Sequence, residues 1–131
     1  MREAAAFGGL ATILALAAPH PAAAEIFTCS FTEPWITLTF STSTGNVVRE
    51  SVPSDGKTVA ARHVSLRRTR ERTLLWLNAR GAPIARLELT GHGSDGMSET
   101  IYPYSIRTTL TPGNSGDGGC ATAALKARQA K

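Results

Sequence analysis

Short runs in which apolar and polar residues alternate are the feature that most constrains the fold of this chain. Residues 36–41 alternate Ile, Leu and Phe with Thr and Ser, and residues 85–90 alternate Ala and Leu with Arg, Glu and Thr. A period of two places every second side chain on the same face of a β-strand, whereas a helix needs a period of about 3.6. Segments rich in Gly, Pro and Asn separate the runs. The pattern predicts an all-β fold, namely a small antiparallel barrel or sandwich of six to eight strands.

Three further segments complete the secondary-structure prediction. The turn sequence at 44–46 lies between the first alternating run and the segment 47–52, which indicates a β-hairpin. Residues 58–66 are expected to form one further strand. Residues 111–119 are rich in glycine, so we expect a flexible loop there.

The first 24 residues have the pattern of a secretory signal peptide. Arg2 provides a basic start, residues 4–18 carry no charge, and the alanines at 22–24 form a cleavage site before Glu25. The uncharged run is shorter than the roughly 20 residues that a membrane span needs. We therefore expect cleavage after residue 24, and a periplasmic or secreted protein that is not an integral membrane protein once cleaved.

The domain organisation follows from this cleavage site. The chain has 131 residues, which suits one domain and leaves no room for a two-domain cofactor enzyme. We expect residues 25–120 to form a single β domain without a cofactor. Residues 121–131 are rich in Ala and Lys and are expected to form a short helix or a disordered tail.

Cys29 and Cys120 are the two cysteines of the chain. An even number of cysteines in an oxidising compartment favours a disulfide. Two buried free thiols and an intermolecular bond are the alternatives. The two cysteines lie far apart, and His63 and His92 do not supply the ligand spacing of a zinc site, so no metal is expected.

The familiar catalytic motifs are missing from the sequence. It contains no G-x-S-x-G, no phosphate-binding loop motif and no H-E-x-x-H. Ser94, His92 and Asp95 could be assembled on paper into a triad, but they lie in one loop, whereas triad members converge from separate elements. We therefore expect a protein that is not an enzyme, and a hydrolase that uses His92 or Asp95 is the remaining enzymatic alternative.

The densest charge feature is a set of four arginines, Arg67, Arg68, Arg70 and Arg72. One interpretation is an anion-binding patch for an acidic partner, a phosphate or a lipid headgroup. The other is a solvated hairpin tip that prevents edge-to-edge pairing. Nucleic acid is not an expected partner, although the net charge is +4, because an exported protein rarely meets it and aromatic residues are only 6%.

The segment 94–99 also has two open interpretations. Asp95-Gly96 suits a tight turn with a positive φ at Gly96, and the Ser94 or Asp95 side chain would accept hydrogen bonds from backbone amides beyond the turn. Such a loop is either a rigid structural element or a binding element. If it binds, its surface combines with two aromatic residues, and the candidate binding residues are Trp35, His92, Ser94, Asp95, Met97, Glu99 and Tyr102.

Three segments together resemble a known family. Residues 27–35 read Phe-Thr-Cys-Ser-Phe-Thr-Glu-Pro-Trp, residues 94–104 read Ser-Asp-Gly-Met-Ser-Glu-Thr-Ile-Tyr-Pro-Tyr, and Gly119-Cys120 follows. They resemble an exported bacterial family, largely uncharacterised, with a Cys-x4-Glu-Pro-Phe-Trp-like opening, a Ser-Asp-Gly-Met-Ser-Asp-x-x-Tyr-Pro-like segment and a final Gly-Cys. The chain departs from this pattern at Trp35-Ile36, where the family commonly has Phe-Trp, and at Gly93, where the family often has cysteine; it also has three rather than four residues between Cys29 and Glu33.

More distantly, the organisation is similar to small exported β domains such as the membrane-bound inhibitors of c-type lysozyme and the META domain. In those inhibitors a polar loop enters the active-site cleft of the enzyme. This chain lacks their Ser-Gly-Ser-Gly loop, so the similarity bears on fold more than on inhibition. We expect a non-enzymatic domain that binds an envelope protein, a glycan or a small ligand. The alternatives are a lysozyme-inhibitor-like protein and a structural envelope protein with an anion-binding arginine patch.

Overall fold

The computed structural model describes residues 24–52 and 56–130. The predicted signal peptide, apart from Ala24, and the turn expected at 53–55 lie outside the described residues. The described residues contain no helix, and therefore none with the length and apolar character of a membrane span. They form ten strands: β1 (Ile26–Phe31), β2 (Trp35–Ser41), β3 (Val47–Val52), β4 (Lys57–Ala61), β5 (Ser65–Arg68), β6 (Thr73–Leu77), β7 (Pro83–Gly93), β8 (Thr100–Thr108), β9 (Asp117–Ala121) and β10 (Arg128–Gln129).

All strands belong to one antiparallel sheet, which confirms the all-β prediction. Nine strands follow the order β4-β3-β2-β1-β9-β8-β7-β6-β5, and β10 pairs with β8. In the described part of the chain no ladder joins β4 to β5, so the sheet is not closed into a barrel. The sheet has ten strands rather than six to eight, because the segment 58–66 contributes to two strands and because β9 and β10 lie where a loop and a tail were expected.

One face of the sheet is buried as the hydrophobic core. Trp76 of β6 stacks on Phe40 of β2 with 5.1 Å between ring centroids, and it meets Phe27 of β1 edge-on at 5.8 Å. All three rings are at most 1% exposed. β6 is a neighbour of neither β1 nor β2 in the strand order, so the sheet curls until its two halves pack against each other. We call the opposite face the outer face.

The single strand predicted at 58–66 is wrong, because the chain breaks between β4 and β5. His63 has a left-handed φ of 57°, which a continuous strand does not allow. The next residue, Val64, is buried and donates its N–H to the carbonyl oxygen of Gly45 at 2.9 Å. β4 and β5 consequently lie at opposite ends of the strand order, and His63 lies in the connection rather than in a strand.

The glycine-rich loop predicted at 111–119 is only partly present, because Asp117 to Ala121 form the central strand β9. A Cβ atom on Gly118 would lie 2.6 Å from Cδ2 of the buried Phe31. A Cβ atom on Gly119 would lie 2.5 Å from Cδ1 of Tyr102 on the outer face. Glycine is therefore required at both positions by close packing, although glycine in a sequence normally indicates a loop.

The disulfide predicted between Cys29 and Cys120 is present. The two residues lie directly opposite each other in the β1–β9 ladder, with their Cα atoms 4.0 Å apart. Both are fully buried. The bridge joins residues that are 91 positions apart in the sequence, at the centre of the sheet.

Residues 121–131 were expected to form a short helix or a disordered tail. Their described part instead contains the end of β9 and the short strand β10. Ala121 ends β9, and β10 pairs with the start of β8, with Arg128 opposite Ile101. The N–H of Ala130 donates to the carbonyl oxygen of Glu99 at 3.0 Å. This segment is therefore attached to the domain beside the loop that precedes β8.

Candidate functional site

The loop between β7 and β8, residues 94–99, folds back over the sheet; we call it the Asp95 loop. The β7–β8 ladder is regular up to Leu89 opposite Tyr104 and then shifts register to Gly93 opposite Tyr102. Such a bulge bends a hairpin. Beyond the bend, the Thr32 hydroxyl, in the turn between β1 and β2, donates to the Asp95 carbonyl oxygen at 2.8 Å. The loop is thus joined to the far end of β1.

Asp95 holds this loop together from inside. Its side chain is only 1% exposed, and Oδ1 accepts the backbone N–H groups of Met97 at 2.9 Å and Ser98 at 2.8 Å. Its Oδ2 accepts the Ser98 hydroxyl at 2.5 Å and the Tyr102 hydroxyl at 3.2 Å. The Ser94 hydroxyl accepts the N–H of Gly96 at 2.9 Å. The expected side-chain bonds to amides beyond the turn are therefore present, and the positive φ predicted for Gly96 is confirmed at 99°.

The pKa values of the two ionisable groups in this network move in opposite directions. Burial opposes ionisation of Asp95, but hydrogen bonds from Ser98, Met97 and Tyr102 outweigh it and lower the pKa of the carboxyl group. Burial raises the pKa of the Tyr102 phenol, and the Asp95 charge adds to the increase. Near neutral pH, Asp95 is therefore a charged acceptor and Tyr102 a neutral donor.

The lowered pKa predicts a specific dependence of stability on acid. An unfolded aspartate has a pKa of about 3.9, so Asp95 contributes stability that is complete above this value and is lost as pH falls through its folded-state pKa. We expect the urea midpoint of the wild type to fall more steeply below about pH 4 than that of Asp95→Asn. Asp117→Asn, which changes an exposed carboxylate paired with Arg107, is the control. Parallel curves for the wild type and Asp95→Asn would contradict this role.

The Tyr102 side chain packs closely against Gly119 of the central strand β9. A Cβ atom on Gly119 would also lie 2.6 Å from Cγ and 2.8 Å from Cβ of Tyr102. The Tyr102 hydroxyl donates to the Asp95 carboxylate at 3.2 Å. Tyr102 therefore lies between the outer face of β9 and the carboxylate of the Asp95 loop.

Gly119→Ala is expected to lower the free energy of unfolding by about 1–3 kcal/mol, because the new methyl group displaces the Tyr102 ring. In a Tyr102→Gly background, the same substitution should cost much less, since no ring or Cβ remains to be displaced. A urea-unfolding double-mutant cycle measures the difference. Equal costs in the two backgrounds would show that Tyr102 is not what requires glycine at this position.

Gly93 lies at the end of the bulge that bends this hairpin. A Cβ atom there would lie 2.0 Å from the carbonyl oxygen of Tyr104. The bent hairpin therefore leaves no room for any side chain at position 93.

Two large apolar side chains stay exposed here, one in the Asp95 loop and one beside it. Met97 is 67% exposed and Trp35 is 36% exposed. Trp35 begins β2 directly after the turn at 32–34, and Asn114 holds that turn by donating to the carbonyl oxygens of Thr32 at 2.6 Å and Pro34 at 3.3 Å. Because the same turn binds the Asp95 loop through Thr32, the structure places Trp35 and Met97 at one end of the sheet.

The remaining candidate binding residues divide between surface and interior. Ser94 and Glu99 are exposed, and with His92 they line an open cleft of about 500 Å³ that also involves Ala130. Asp95 is buried, and Tyr102 is half-buried with its hydroxyl bonded to Asp95. The first group can contact a partner directly, whereas Asp95 and Tyr102 support the surface from below.

The arrangement of the Asp95 loop differs from that of a catalytic triad. The Asp95 carboxylate bonds to Met97, Ser98 and Tyr102 rather than to His92. Within residues 24–52 and 56–130, no group of three or more His, Cys, Asp or Glu side chains is arranged to hold a metal ion.

The four arginines of the predicted patch do not all lie on one face of the sheet. Arg68 forms an ion pair with both carboxylate oxygens of Glu25, before β1. Arg67 precedes it in the same strand, so its side chain projects from the opposite face. Arg70 and Arg72 lie in the connection between β5 and β6 and are exposed.

This site also contains Thr32, Ser98 and Asn114, which were not among the candidate residues predicted from the sequence. Ser98 lies three positions after Asp95, a spacing at which aspartate side chains bond to a following turn, so a local signal existed. Thr32 and Asn114 act across 63 and 82 positions of sequence, and no local pattern marks them.

Comparisons with known proteins add no relative to this description. No family model, no curated protein and no solved structure matches the chain.

Proposed function

We propose that this chain is an exported, non-enzymatic β domain that binds a protein of the cell envelope through the Asp95 loop and Trp35. The observation that carries the proposal is that Met97 and Trp35 remain exposed beside a loop held by a buried carboxylate. Exposed Met and Trp side chains are typical of protein-binding surfaces. Asp95 and Tyr102 take the supporting role.

The hydrogen bonds of the loop favour binding because they reduce what association costs. A loop that is ordered before it meets a partner loses less conformational entropy on binding than a mobile one. Asp95, Ser98 and Thr32 fix the backbone on both sides of Met97. The exposed Glu99 and His92 then provide a polar rim around an apolar contact.

Export is supported by the Cys29–Cys120 disulfide, because such bonds persist in oxidising compartments. Intact-mass analysis of protein from the cell envelope tests it, with and without reduction and alkylation. We expect a mass that begins at Glu25 and thiols that react only after reduction. A mass that retains Met1, with two free thiols, would overturn both export and the envelope partner.

Site-specific photo-crosslinking in cells tests the binding surface. A benzoyl-phenylalanine is placed at Met97 or Trp35, and at Val59 as control, which is 41% exposed in the edge strand β4. We expect the same discrete protein adduct from positions 97 and 35 and none from 59. The adduct from position 35 should weaken when Met97→Ser is added.

Two other outcomes would redirect the proposal. If no protein adduct forms at position 97, or if position 59 gives the same adduct, the surface does not bind a protein there. The distant similarity also suggests one concrete partner, a c-type lysozyme. A lysozyme turbidity assay with micromolar protein tests that alternative, and unchanged lysis rejects it.

A further inference from the structure

The fold builds a row of arginines that the sequence does not reveal. In successive ladders, Arg67 of β5 lies opposite Leu75, Leu75 opposite Arg86, and Arg86 opposite Arg107 of β8. Directly opposed residues share a face, and all three arginines are exposed, so the row runs across the outer face. At a strand spacing of about 4.8 Å, it spans roughly 14 Å. We call Arg67, Arg86 and Arg107 the arginine row.

The guanidinium groups of this row remain available to a ligand. Arg86 pairs with Glu88 and Arg107 pairs with Asp117, each at 2.9 Å, and all four side chains are between 48% and 80% exposed. Exposed ion pairs of this kind are worth little, so an incoming anion can replace the carboxylates. Arg67 has no carboxylate partner among the described residues.

Two arginines of the row line a shallow cavity. A cavity of about 340 Å³ lies between Arg86 and Arg107 and is lined also by Ser105, by Ile106 and by the carboxylates of Glu88 and Asp117, which a bound anion would have to displace from the two arginines. Two guanidinium groups and a hydroxyl are the donors that bind a phosphate group. The exposed Arg70 and Arg72, with the exposed Glu71 between them, add a net positive charge at the tip of the same β5–β6 hairpin.

We propose that the outer face of β5–β8 docks on the phosphate headgroups of an anionic lipid bilayer. The charges lie along an exposed sheet face rather than in one deep pocket, so several phosphates presented on a surface match them better than a single phosphate does. Leu75, half-buried between Arg67 and Arg86, adds apolar contact at the centre of the row. Each basic side chain near an anionic membrane strengthens binding by about fivefold. This docking is independent of the Asp95 loop.

Vesicle co-sedimentation of the full, disulfide-bonded protein tests the proposal. The probes are phosphatidylglycerol–phosphatidylcholine vesicles and vesicles of phosphatidylcholine alone. We expect the protein to bind the anionic vesicles only. This binding should be lost at about 0.5 M salt, because salt screens the attraction between exposed charges. The triple variant Arg67→Gln, Arg86→Gln and Arg107→Gln should bind about tenfold or more weakly.

A matched triple variant separates the row from net charge. Arg62→Gln, Arg80→Gln and Arg128→Gln remove the same charge from exposed positions outside the row, and this variant should retain most of the binding. Equal losses in the two triple variants would overturn the proposal, as would binding to phosphatidylcholine alone. Binding to soluble polyphosphate without binding to vesicles would also overturn the proposal. The arginine row would then bind a soluble anionic polymer rather than a membrane. If the row variant does not fold, Arg67→Gln alone is compared with Arg62→Gln.

Discussion

Removal of the Cys29–Cys120 bridge is expected to lower the free energy of unfolding by about 4–5 kcal/mol. The bridge closes a loop of 91 positions, and constraining so long a loop removes much of the entropy of the unfolded chain. A domain of this size has a total stability of about 5–15 kcal/mol. The reduced protein should therefore be marginal at 25 °C, and urea unfolding with and without reductant measures the loss.

Single and double variants distinguish the bridge from the packing of its sulfur atoms. If the crosslink itself stabilises the protein, Cys29→Ala and Cys120→Ala should each lose nearly the whole contribution of the bridge to the free energy of unfolding. The double variant should then lose little more. If packing of the buried side chains supplies it, the two losses add. Losses of less than about 1 kcal/mol in each single variant would refute the loop-closure account.

Asp95→Ala should destabilise the protein by about 2–4 kcal/mol, and the loss should concentrate in the Asp95 loop. The substitution leaves the N–H groups of Met97 and Ser98 and the Tyr102 hydroxyl without the acceptor that they share. Hydrogen bonds to a buried charge are stronger than neutral ones, so their loss is costly. Hydrogen exchange should show faster exchange of the Met97 and Ser98 amides than in the wild type.

Two variants test whether the effect arises from acceptor geometry. Asp95→Asn keeps one oxygen for the two backbone amides and should lose less stability than Asp95→Ala. Asp117→Ala removes an exposed carboxylate whose only role in the described structure is its pair with Arg107, and it should cost less than about 0.5 kcal/mol. Similar losses for Asp95→Ala and Asp117→Ala would show that Asp95 is not the support of its loop.

Local patterns predicted those parts of the fold in which sequence neighbours decide the structure. The hairpin of β2 and β3 was predictable because alternating side chains and a turn at 44–46 both favour it. The disulfide was predictable because an even number of cysteines in a chain expected to be exported favours a disulfide. The turn at Asp95-Gly96 was predictable from the short range of aspartate side-chain bonds.

Other features depended on contacts that no local pattern reports. β9 was missed because Gly118 and Gly119 are required by Phe31 and Tyr102, which come from distant strands. The break at His63 depends on Val64 bonding to Gly45 in another turn. The position of Asp95 likewise depends on Thr32, which lies 63 positions away in the sequence. The sequence therefore marked Asp95 as a candidate binding residue, and only the structure shows that it supports the loop.

The position of β9 beside β1 has a consequence for how the chain folds. Strands β1 to β4 form one set in which each strand pairs with its sequence neighbours, and strands β5 to β9 form a second such set. The β1–β9 ladder joins the two sets, and β10 pairs with β8. Each set can form early from local contacts, whereas the β1–β9 ladder must bring together opposite ends of the domain and carries the largest loop-closure entropy. We therefore expect the joining of the two meanders to set the folding rate, and Cys29 and Cys120 to meet only when it is complete.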